Sequence, residues 1–303
     1  VFMRLNIRTK HREAFWGYLF IMGPILQFFI FLAVPLVFSL WISFQKWDIL
    51  TPAVPIGFKN YVELVKDPKF WKALYNTFYL MMGIPISMVL SLILALMLNR
   101  KMSGVGVFKV LYYIPAVCSV VAVSQMFLWL FNADNGLINT LLYNLFKVHG
   151  PYWFGEAEYV KIPMIAMGIW PSTGPNMLFF LAGLQNIPGS YYEAAIVDGA
   201  NSMQIFRKIT LPLLTPTIFF LVVMGVIGGL QGMAQTYVMF PVSGASAGGP
   251  EFSAATVIYY LWQSAFSYYQ MGYASAIAWV VGLIIFVLTL INFRMSSKWV
   301  YTD

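Results

Sequence analysis

The sequence predicts an all-α membrane protein with six transmembrane helices, and three observations support this prediction. First, 60% of the 303 residues are hydrophobic and only 10% are charged, whereas a soluble domain carries roughly 25% charged residues. Second, six stretches are long and apolar enough to form helices that cross the roughly 30 Å hydrocarbon core of a bilayer. Third, aromatic residues make up 18% of the chain, as expected where rings lie at two membrane interfaces.

The six apolar stretches are separated by segments that hold all of the charged residues. The stretches are predicted to be helices because runs of this length do not fit the short strands of a closed barrel. A seventh apolar region, Phe252–Phe266, is shorter and is predicted to form an external helix before the last span. The predicted spans are Trp16–Trp41, Leu74–Leu98, Val110–Phe131, Ile162–Leu184, Leu213–Tyr237 and Tyr273–Phe293.

The charges are distributed unevenly between the two sets of connecting segments. With the N-terminus inside, the inner segments contain eleven of the eighteen Lys and Arg residues and four of the eleven acidic residues, which gives +7 inside and zero outside. The positive-inside rule therefore predicts that both termini are cytoplasmic. The predicted organisation is a cytoplasmic N-terminus (residues 1–14), one transmembrane domain (residues 15–295) with a cytoplasmic helical segment (residues 188–212), and a cytoplasmic tail (residues 296–303).

Several classes of function are excluded by what the predicted spans lack. They contain no Asp, Glu, Lys, Arg or His, whereas proton relays, voltage sensors and most ion-coupled carriers need ionisable groups in the membrane. His11 and His149 lie outside the spans and far apart in the sequence, so neither catalytic residues nor a metal site is predicted. The single cysteine, Cys118, is expected to be a small core residue.

Other partners and cofactors can be assessed in the same way. The basic residues are not clustered on one amphipathic element, so they fit topology signals in a lipid membrane and do not indicate nucleic acid. No G-x-x-x-x-G-K-[ST] loop is present, so no nucleotide is expected on this chain. Gly and Pro interrupt the spans, which is consistent with a pathway-lining bundle that moves. Such a bundle must take its energy from a partner.

The most informative stretch runs from Pro188 to Pro212 and reads PGSYYEAAIVDGANSMQIFRKITLP. An S-x-x-E capping box at Ser190 and Glu193 predicts the start of a helix over residues 191–198, and Gly199 is suited to end it. A second helix is predicted over residues 202–210, before the proline that opens the fifth span. The stretch therefore predicts a rigid helix–turn–helix that can transmit force from a soluble partner.

These residues resemble the signature of the permease subunits of binding-protein-dependent ABC importers, without departure from its pattern. The resemblance implies that this coupling segment docks in a cleft of an ATPase subunit, where Glu193 faces a basic residue. Alternatively, Glu193 only completes the helix cap, and Asp198 is either part of the docking surface or a solvated helix end. The matching positions are Glu193, Ala194, Ala195, Gly199, Ile209, Leu211 and Pro212.

The resemblance also implies the surroundings of the chain. It implies a type I importer architecture in the bacterial cytoplasmic membrane, with no cofactor on this chain and with ATP and Mg in partner subunits. The implied partners are a second, homologous permease subunit that completes a heterodimer, two ATPase subunits, an extracytoplasmic sugar-binding protein and membrane lipid.

Two further groups of residues narrow the resemblance to one branch of the family. The first is Gly57-Phe58-Lys59-Asn60-Tyr61, Asp67-Pro68-x-Phe70-Trp71 and Asn76-Thr77, and the second is Gly248-Gly249-Pro250, Tyr259, Phe266 and Gly272-Tyr273-Ala274. Both resemble the carbohydrate-uptake branch, the maltose- and oligosaccharide-type permeases, and the resemblance covers essentially the whole chain from Phe15 onward. It implies that Gly248, Gly249 and Pro250 lie where the binding protein delivers substrate.

Neutral polar and aromatic residues in the fourth and fifth spans predict the substrate pathway, because sugars bind by stacking and by uncharged hydrogen-bonding groups. The face formed by Gly225, Gly229 and Gly232 is either a packing seam or a widened pathway wall, with Gln231 and Gln235 one helical turn apart beside it. Trp170 is either a stacking platform or a packing residue. The candidates are Trp170, Ser172, Thr173, Asn176, Gly225, Gly229, Gln231, Gly232, Gln235 and Tyr237.

The sequence thus favours the permease subunit of an ABC importer for a sugar, with an oligosaccharide as the preferred cargo. One alternative is the same importer class with another solute such as a polyol or glycerol phosphate, although the absence of Lys and Arg from the spans disfavours an anion. A passive channel is another alternative, and it would not need the coupling segment.

Overall fold

The structure, a computed structural model, describes residues 7–100, 103–240 and 247–301, with the backbone alone for residues 7–12. Its first helices and its small antiparallel sheet are α1 (Ile7–Phe28), α2 (Val34–Ser43), β1 (Gln45–Lys46), β2 (Val54–Pro55), α3 (Lys59–Lys66), α4 (Pro68–Leu80), α5 (Gly83–Leu98), α6 (Val105–Val117), α7 (Val120–Leu130) and α8 (Leu137–Phe146). The remaining helices are α9 (Lys161–Gln185), α10 (Gly189–Val197), α11 (Ser202–Ile205), α12 (Leu211–Leu213), α13 (Thr215–Leu230), α14 (Ala234–Met239), α15 (Val257–Trp262) and α16 (Met271–Ser296).

Short π-helical turns continue three of these helices. Phe29–Ala33 joins α1 to α2, Phe206–Thr210 joins α11 to α12, and Gln263–Ser267 extends α15. Because the chain stays helical through each turn, α1 and α2 form one long helix.

Length and composition support up to five of the six predicted spans within the described residues. Four helical stretches are long and apolar enough to cross a membrane, and the bent pair of α6 and α7 makes a fifth if it counts as one span. α9, the predicted fourth span, is 25 residues long but is not among the stretches that qualify. The four stretches are Glu13–Ser43, Pro68–Leu98, Thr215–Met239 and Met271–Ser296.

The third predicted span, Val110–Phe131, is broken in the middle, so the expectation of one continuous helix is wrong. α6 and α7 meet at an angle of 94°. Cys118 is extended between them (φ −70°, ψ 143°), and the Ser119 hydroxyl accepts a hydrogen bond from the backbone N–H of Val121 (3.3 Å). This hydrogen bond caps α7. The expectation that Cys118 is a core residue is also wrong, because the break leaves its side chain exposed.

α9 is the central helix of the bundle and contacts α4, α5, α6, α7 and α13. On one side, Phe180 and Leu184 belong to a buried cluster with α5 and α13, and on the other Met167 belongs to a cluster with α7 and α14. Gly174 lets α6 approach closely, since a Cβ atom there would lie only 2.2 Å from the Tyr112 carbonyl oxygen. α9 therefore contributes side chains to both buried clusters and connects them.

The connecting segments confirm the one helix that was predicted for them outside the coupling segment. The short helix expected over Phe252–Phe266 is α15 with its π-helical turn. The other connecting segments contain the helix α8 and the β1–β2 hairpin. The tail returns to α13, where the backbone N–H of Tyr301 donates to the Thr215 hydroxyl (2.8 Å).

Candidate functional site

A cavity of about 910 Å³ lies between α4, α5, α9, α13 and α14. Its lining contains no Asp, Glu, Lys, Arg or His. The hydrogen-bonding side chains in its wall are Thr77, Ser87, Ser172, Asn176, Gln231, Gln235, Thr236 and Thr256. Such a wall can donate and accept hydrogen bonds without offering a full charge. We call this cavity the substrate cavity, a name taken from the sequence prediction of a substrate pathway.

Most of the residues predicted for the substrate pathway share this wall. Those that line it are Ser172, Asn176, Gly225, Gly229, Gln231, Gly232 and Gln235. Trp170, Thr173 and Tyr237 are not part of the lining. The Trp170 ring packs on Phe127, with 6.1 Å between ring centroids, and Tyr237 packs edge-to-face on Trp262 at 5.0 Å. Both rings are thus engaged in packing outside the cavity wall.

The polar side chains of the wall are partly held by each other and by the backbone. The Asn176 Nδ2 donates to the Ser87 hydroxyl (3.2 Å), and the Ser172 hydroxyl donates to the Gly168 carbonyl oxygen (2.9 Å). Thr77, Ser87, Thr236 and Thr256 were not selected for the pathway from the sequence. The available signal was a hydroxyl group within, or next to, a predicted apolar span.

The helix break at residues 231–233 corrects one expectation about the fifth span. α13 ends at Leu230 and α14 begins at Ala234, so Gln231 and Gln235 are not one turn apart on a continuous helix. Both still line the substrate cavity. The non-helical residues between the two helices include Gly232, whose added Cβ atom would meet only backbone oxygen atoms of its own chain segment, the nearest at 3.4 Å. The break places this short segment in the cavity wall.

Gly225 and Gly229 combine the two roles considered for the glycine face. A Cβ atom on Gly225 would lie 2.8 Å from Ile84 Cγ2, and one on Gly229 would lie 2.7 Å from Met81 Cγ. Both glycines therefore allow close packing against the α4–α5 region while their backbone forms part of the cavity wall.

The coupling segment forms the predicted helix–turn–helix, but the predicted capping box at Ser190 and Glu193 is wrong. α10 begins at Gly189, directly after Pro188, and no side chain caps it. The extended backbone of Pro188 (φ −59°, ψ 134°) starts the helix earlier, so Ser190 lies inside the first turn. A capping box is instead present at Asn201 and Gln204, at the start of α11.

The end of α10 follows the prediction for Gly199. Gly199 has φ +75°, a left-handed conformation that glycine adopts at little cost. The backbone N–H groups of Gly199 and Ala200 donate to the carbonyl oxygens of Ile196 (3.0 Å) and Ala195 (2.9 Å), which is the Schellman pattern. This turn fixes the direction in which the chain leaves α10.

The coupling residues are divided between exposed and packed positions. Glu193, Ala194, Asp198 and Gly199 are exposed, whereas Ala195 is buried. Ile209, Leu211 and Pro212 are half-buried where the segment enters α13. Large apolar side chains are exposed beside the acidic ones: Ile196, Val197 and Met203 are 65%, 86% and 62% exposed. The segment thus presents an apolar surface with carboxylates, supported by a packed base.

Comparison with known proteins gives the family. Residues 53–298 match the family described as "Binding-protein-dependent transport system inner membrane component". The chain belongs to this family. It is 39% identical to a probable ABC transporter permease, YesP, of Bacillus subtilis over 98% of this chain and 95% of that protein.

Further relatives agree with this assignment, and a solved structure has the same fold. The permease is 33% identical to the arabinooligosaccharide transport permease AraP of B. subtilis, over 93% of this chain and 88% of the other. It is 31% identical to the trehalose/maltose transport permease MalF of Thermococcus litoralis, over 94% of each. Its fold matches a chain of a bacterial ABC transporter involved in the import of alginate, with a TM-score of 0.78, 23% identity and coverage of 96% and 98%.

The residues of the carbohydrate-branch motifs hold several connecting segments of the permease together. The Asn60 Nδ2 donates to the carbonyl oxygens of Ser43 (2.8 Å) and Gln45 (2.9 Å). The Asn76 Nδ2 donates to those of Phe252 (2.9 Å) and Ala255 (3.1 Å). Buried amide groups that bridge two backbone carbonyls in this way fix loops that have little regular structure.

Thr77 and Tyr259 extend this network of hydrogen bonds. The Thr77 hydroxyl accepts a hydrogen bond from the backbone N–H of Val257 (2.9 Å), and the Tyr259 hydroxyl donates to the Phe240 carbonyl oxygen (3.2 Å). Burial raises the pKa of Tyr259 to about 12, so it remains a donor at physiological pH. These contacts seat α15 between α4 and the end of α14.

Gly248 and Gly249 form a buried turn in the permease. Their φ angles are +76° and +82°, and an added Cβ atom would lie 2.7 Å from the Phe252 ring and 2.6 Å from Ala254 Cβ, respectively. Pro250, which is half-buried, begins a short 3-10 turn. The glycines are therefore needed for the shape of this turn, and their predicted contact with a binding protein stays a prediction.

Within the described residues, no group of three or more His, Cys, Asp or Glu side chains could hold a metal ion.

Proposed function

We propose that this chain is one of two different permease subunits of an ATP-binding-cassette importer that carries a sugar, with an oligosaccharide as the preferred cargo. An extracytoplasmic binding protein delivers the sugar, as the family description and the printed functions of AraP and MalF suggest. The remaining partners are a homologous permease and two ATPase subunits, which hold ATP and Mg. This chain has no catalytic role.

The uncharged substrate cavity is the observation that carries the choice of a sugar. Its volume of about 910 Å³ lies near the upper end of the roughly 300–1,000 Å³ typical of ligand pockets. A wall of hydroxyl and amide groups suits the many hydroxyls of a saccharide. It offers no cationic side chain to a phosphate, which disfavours glycerol phosphate.

The proposed topology has six spans in the bacterial cytoplasmic membrane, with both termini in the cytoplasm. α9 is the sixth span: its 25 residues exceed the roughly 20 that a span needs. Because α9 is surrounded by other helices of the bundle, it needs less apolar surface than a helix that faces lipid. The charge difference between the inner and outer segments sets the orientation.

Energy enters through the coupling segment. Its exposed apolar side chains and Glu193 form a compact surface at a rigid helix–turn–helix, as a docking site for an ATPase cleft requires. The Tyr192 hydroxyl and the Thr210 hydroxyl lie within hydrogen-bonding distance (3.3 Å). This contact ties α10 to the turn that leads into α13, whose glycines line the substrate cavity, so a displacement of the segment can reach the cavity wall.

Transport by the complete complex in proteoliposomes, with the cognate binding protein and a panel of labelled sugars, tests this function. The Glu193→Ala variant is expected to insert normally and to lose roughly tenfold or more of its ATP-dependent uptake, since couplings between sites are typically 5–150-fold. Glu13→Ala, which removes an exposed glutamate near the same proposed face, is the matched control. Full uptake by Glu193→Ala, or wild-type uptake without ATP, would contradict the proposal.

A further inference from the structure

Two lysine side chains and two tyrosine rings lie together where α4 contacts α9. The Lys161 ammonium group lies 4.8 Å from the centroid of the Tyr75 ring and 4.9 Å from that of the Tyr79 ring. Lys72 shares a face of α4 with both tyrosines, because positions 72, 75 and 79 are separated by three and four residues. We call these four residues the lysine–tyrosine cluster.

The positive charge of the lysine–tyrosine cluster is not balanced by a carboxylate. Among the described residues, only Lys59 and Glu63 form an ion pair, so neither cluster lysine has a carboxylate oxygen within 4.0 Å. The face of an aromatic ring attracts a cation, but it brings no net negative charge. Lys161 is close enough to Lys72 for the two charges to repel each other, and an anion between them would relieve this repulsion.

The cluster lies at one boundary of the predicted spans. The second predicted span begins at Leu74 and the fourth at Ile162, so Lys72 and Lys161 both come just before an apolar run. Lysine and tyrosine suit this boundary, because an apolar stem or ring can stay in the bilayer while its polar end reaches the headgroups. In the proposed topology this boundary is the outer one.

Exposed apolar side chains extend from the cluster into the span. Phe78 and Met82 each lie three residues beyond one of the tyrosines, and they are 41% and 57% exposed. A free phosphate ion at the lysines would leave these side chains uncovered. A membrane-spanning partner helix could cover them, but acidic residues are rare in such helices. An anionic group that carries long apolar chains fits both parts of this surface.

We propose that the lysine–tyrosine cluster binds the phosphate group of an anionic phospholipid. The two ammonium groups hold the phosphate, the tyrosine hydroxyls can donate hydrogen bonds to the headgroup, and the acyl chains pack along Phe78 and Met82. None of these residues lines the substrate cavity, so the lipid site and the cavity are separate. The assignment to the outer leaflet rests on the proposed topology.

Photoreactive lipids test the site on the complete complex in nanodiscs. The probes are phosphatidylglycerol and phosphatidylcholine with the same photoreactive acyl chain, and mass spectrometry identifies the labelled peptides. Phosphatidylglycerol is expected to label the α4 peptide that contains Phe78 and Met82. Phosphatidylcholine is expected to label it roughly fivefold less or weaker still, since each lysine near the membrane surface strengthens the binding of anionic lipid by about that factor.

Lysine variants locate the headgroup. Lys72→Gln is expected to reduce labelling by phosphatidylglycerol roughly fivefold, and Lys161→Gln in addition should reduce it to the level of phosphatidylcholine. Lys161→Arg, which keeps the charge, should be labelled like the wild type. Lys66→Gln, which removes an exposed lysine of α3, is the matched control. Because Lys72 is exposed, its variant tests the site even if a change at Lys161 disturbs packing on the tyrosines.

Three outcomes would overturn the lipid site. The first is equal labelling by the two lipids or unchanged labelling of Lys72→Gln. The second is a complex in which neither lipid labels α4, because another subunit then covers the cluster. The third is complete competition by millimolar inorganic phosphate, which would assign the cluster to a free anion. Since the readout is lipid labelling and not uptake, each of these outcomes leaves the proposed function intact.

Discussion

At the scale of single residues, the glycines of α13 differ in what surrounds them. Gly225 and Gly229 are in close contact with Ile84 and Met81, whereas an added Cβ atom on Gly228 would meet no atom within 4 Å. All three line the substrate cavity. Substitutions at Gly229 and at Gly228 can therefore test two roles separately: close packing against a neighbouring helix, and a place in the cavity wall.

Replacing Gly229 by Leu is expected to lower the melting temperature of the assembled complex, because overpacking a close contact costs roughly 1–3 kcal/mol. Gly228→Leu, the matched control, is expected to assemble with normal stability but to transport poorly, since its side chain would extend into the cavity. Thermal melting of the purified complex and uptake in proteoliposomes measure the two effects. A Gly229→Leu complex that melts like the wild type would refute the packing role.

At the scale of elements, Asp67 connects three helices at one point. Its carboxylate caps α4 by accepting a hydrogen bond from the backbone N–H of Lys69 (2.8 Å). It also accepts hydrogen bonds from the hydroxyls of Tyr260 on α15 and Tyr273 on α16. Partial burial on its own would raise the pKa of Asp67, but the hydrogen bonds together lower it by more than burial raises it. The pKa of Asp67 therefore lies below its ordinary value of 3.8.

Asp67→Asn is expected to destabilise the permease at pH 7 by about 1–2 kcal/mol, because it weakens charge-assisted hydrogen bonds while keeping a good cap. A lowered pKa in the folded state gives stability that is present above the unfolded pKa and lost as the pH falls through the folded pKa. The melting temperature of the wild type should therefore approach that of Asp67→Asn below about pH 4.

The control for this prediction is Asp134→Asn, which neutralises an exposed carboxylate on another connecting segment. It should melt like the wild type across the same range of pH. A constant difference between wild type and Asp67→Asn down to pH 3 would mean that the carboxylate charge is not what stabilises the junction.

The same elements show how far the sequence could predict this fold. The apolar runs located the long helices, and Gly199 marked the end of α10 because few other residues tolerate a left-handed backbone. The break at Cys118 and Ser119 has neither glycine nor proline at these two positions, although Pro115 lies in the last turn of α6. Beyond the break, α7 packs against α9 and α14, and such tertiary contacts cannot be read from one sequence. The capping box at Ser190 was misplaced because Pro188 starts the helix two residues earlier.

The part of the candidate site that could be predicted is the set of polar residues that lie within apolar spans. Neutral polar residues in apolar spans are rare enough that Asn176, Gln231 and Gln235 stood out. Trp170 and Tyr237 lie in the same spans, but whether a ring faces a cavity or a neighbouring ring depends on the rotation of helices against each other. That rotation is set by tertiary contacts such as the close approach of Gly174 to α6, which a single sequence does not reveal.

At the scale of the whole molecule, the proposed six-span topology makes a prediction that a five-span topology does not share. With α9 as a span, Glu158 is outside and Ser103 and Ser297 are inside. Without it, Ser297 would be outside. All three side chains are exposed, so each position can report its side of the membrane once it is changed to cysteine.

The experiment starts from a Cys118→Ser chain, because Cys118 is the only cysteine and is itself exposed. A membrane-impermeant maleimide added to intact spheroplasts is expected to label Glu158→Cys but neither Ser103→Cys nor Ser297→Cys, since a charged reagent does not cross the hydrocarbon core. Permeabilisation should then expose the two inner positions. Labelling of Ser297→Cys together with Glu158→Cys from outside would remove α9 from the spans. Labelling of Ser103→Cys and Ser297→Cys without Glu158→Cys would reverse the orientation and place the coupling segment beyond the reach of any cytoplasmic ATPase.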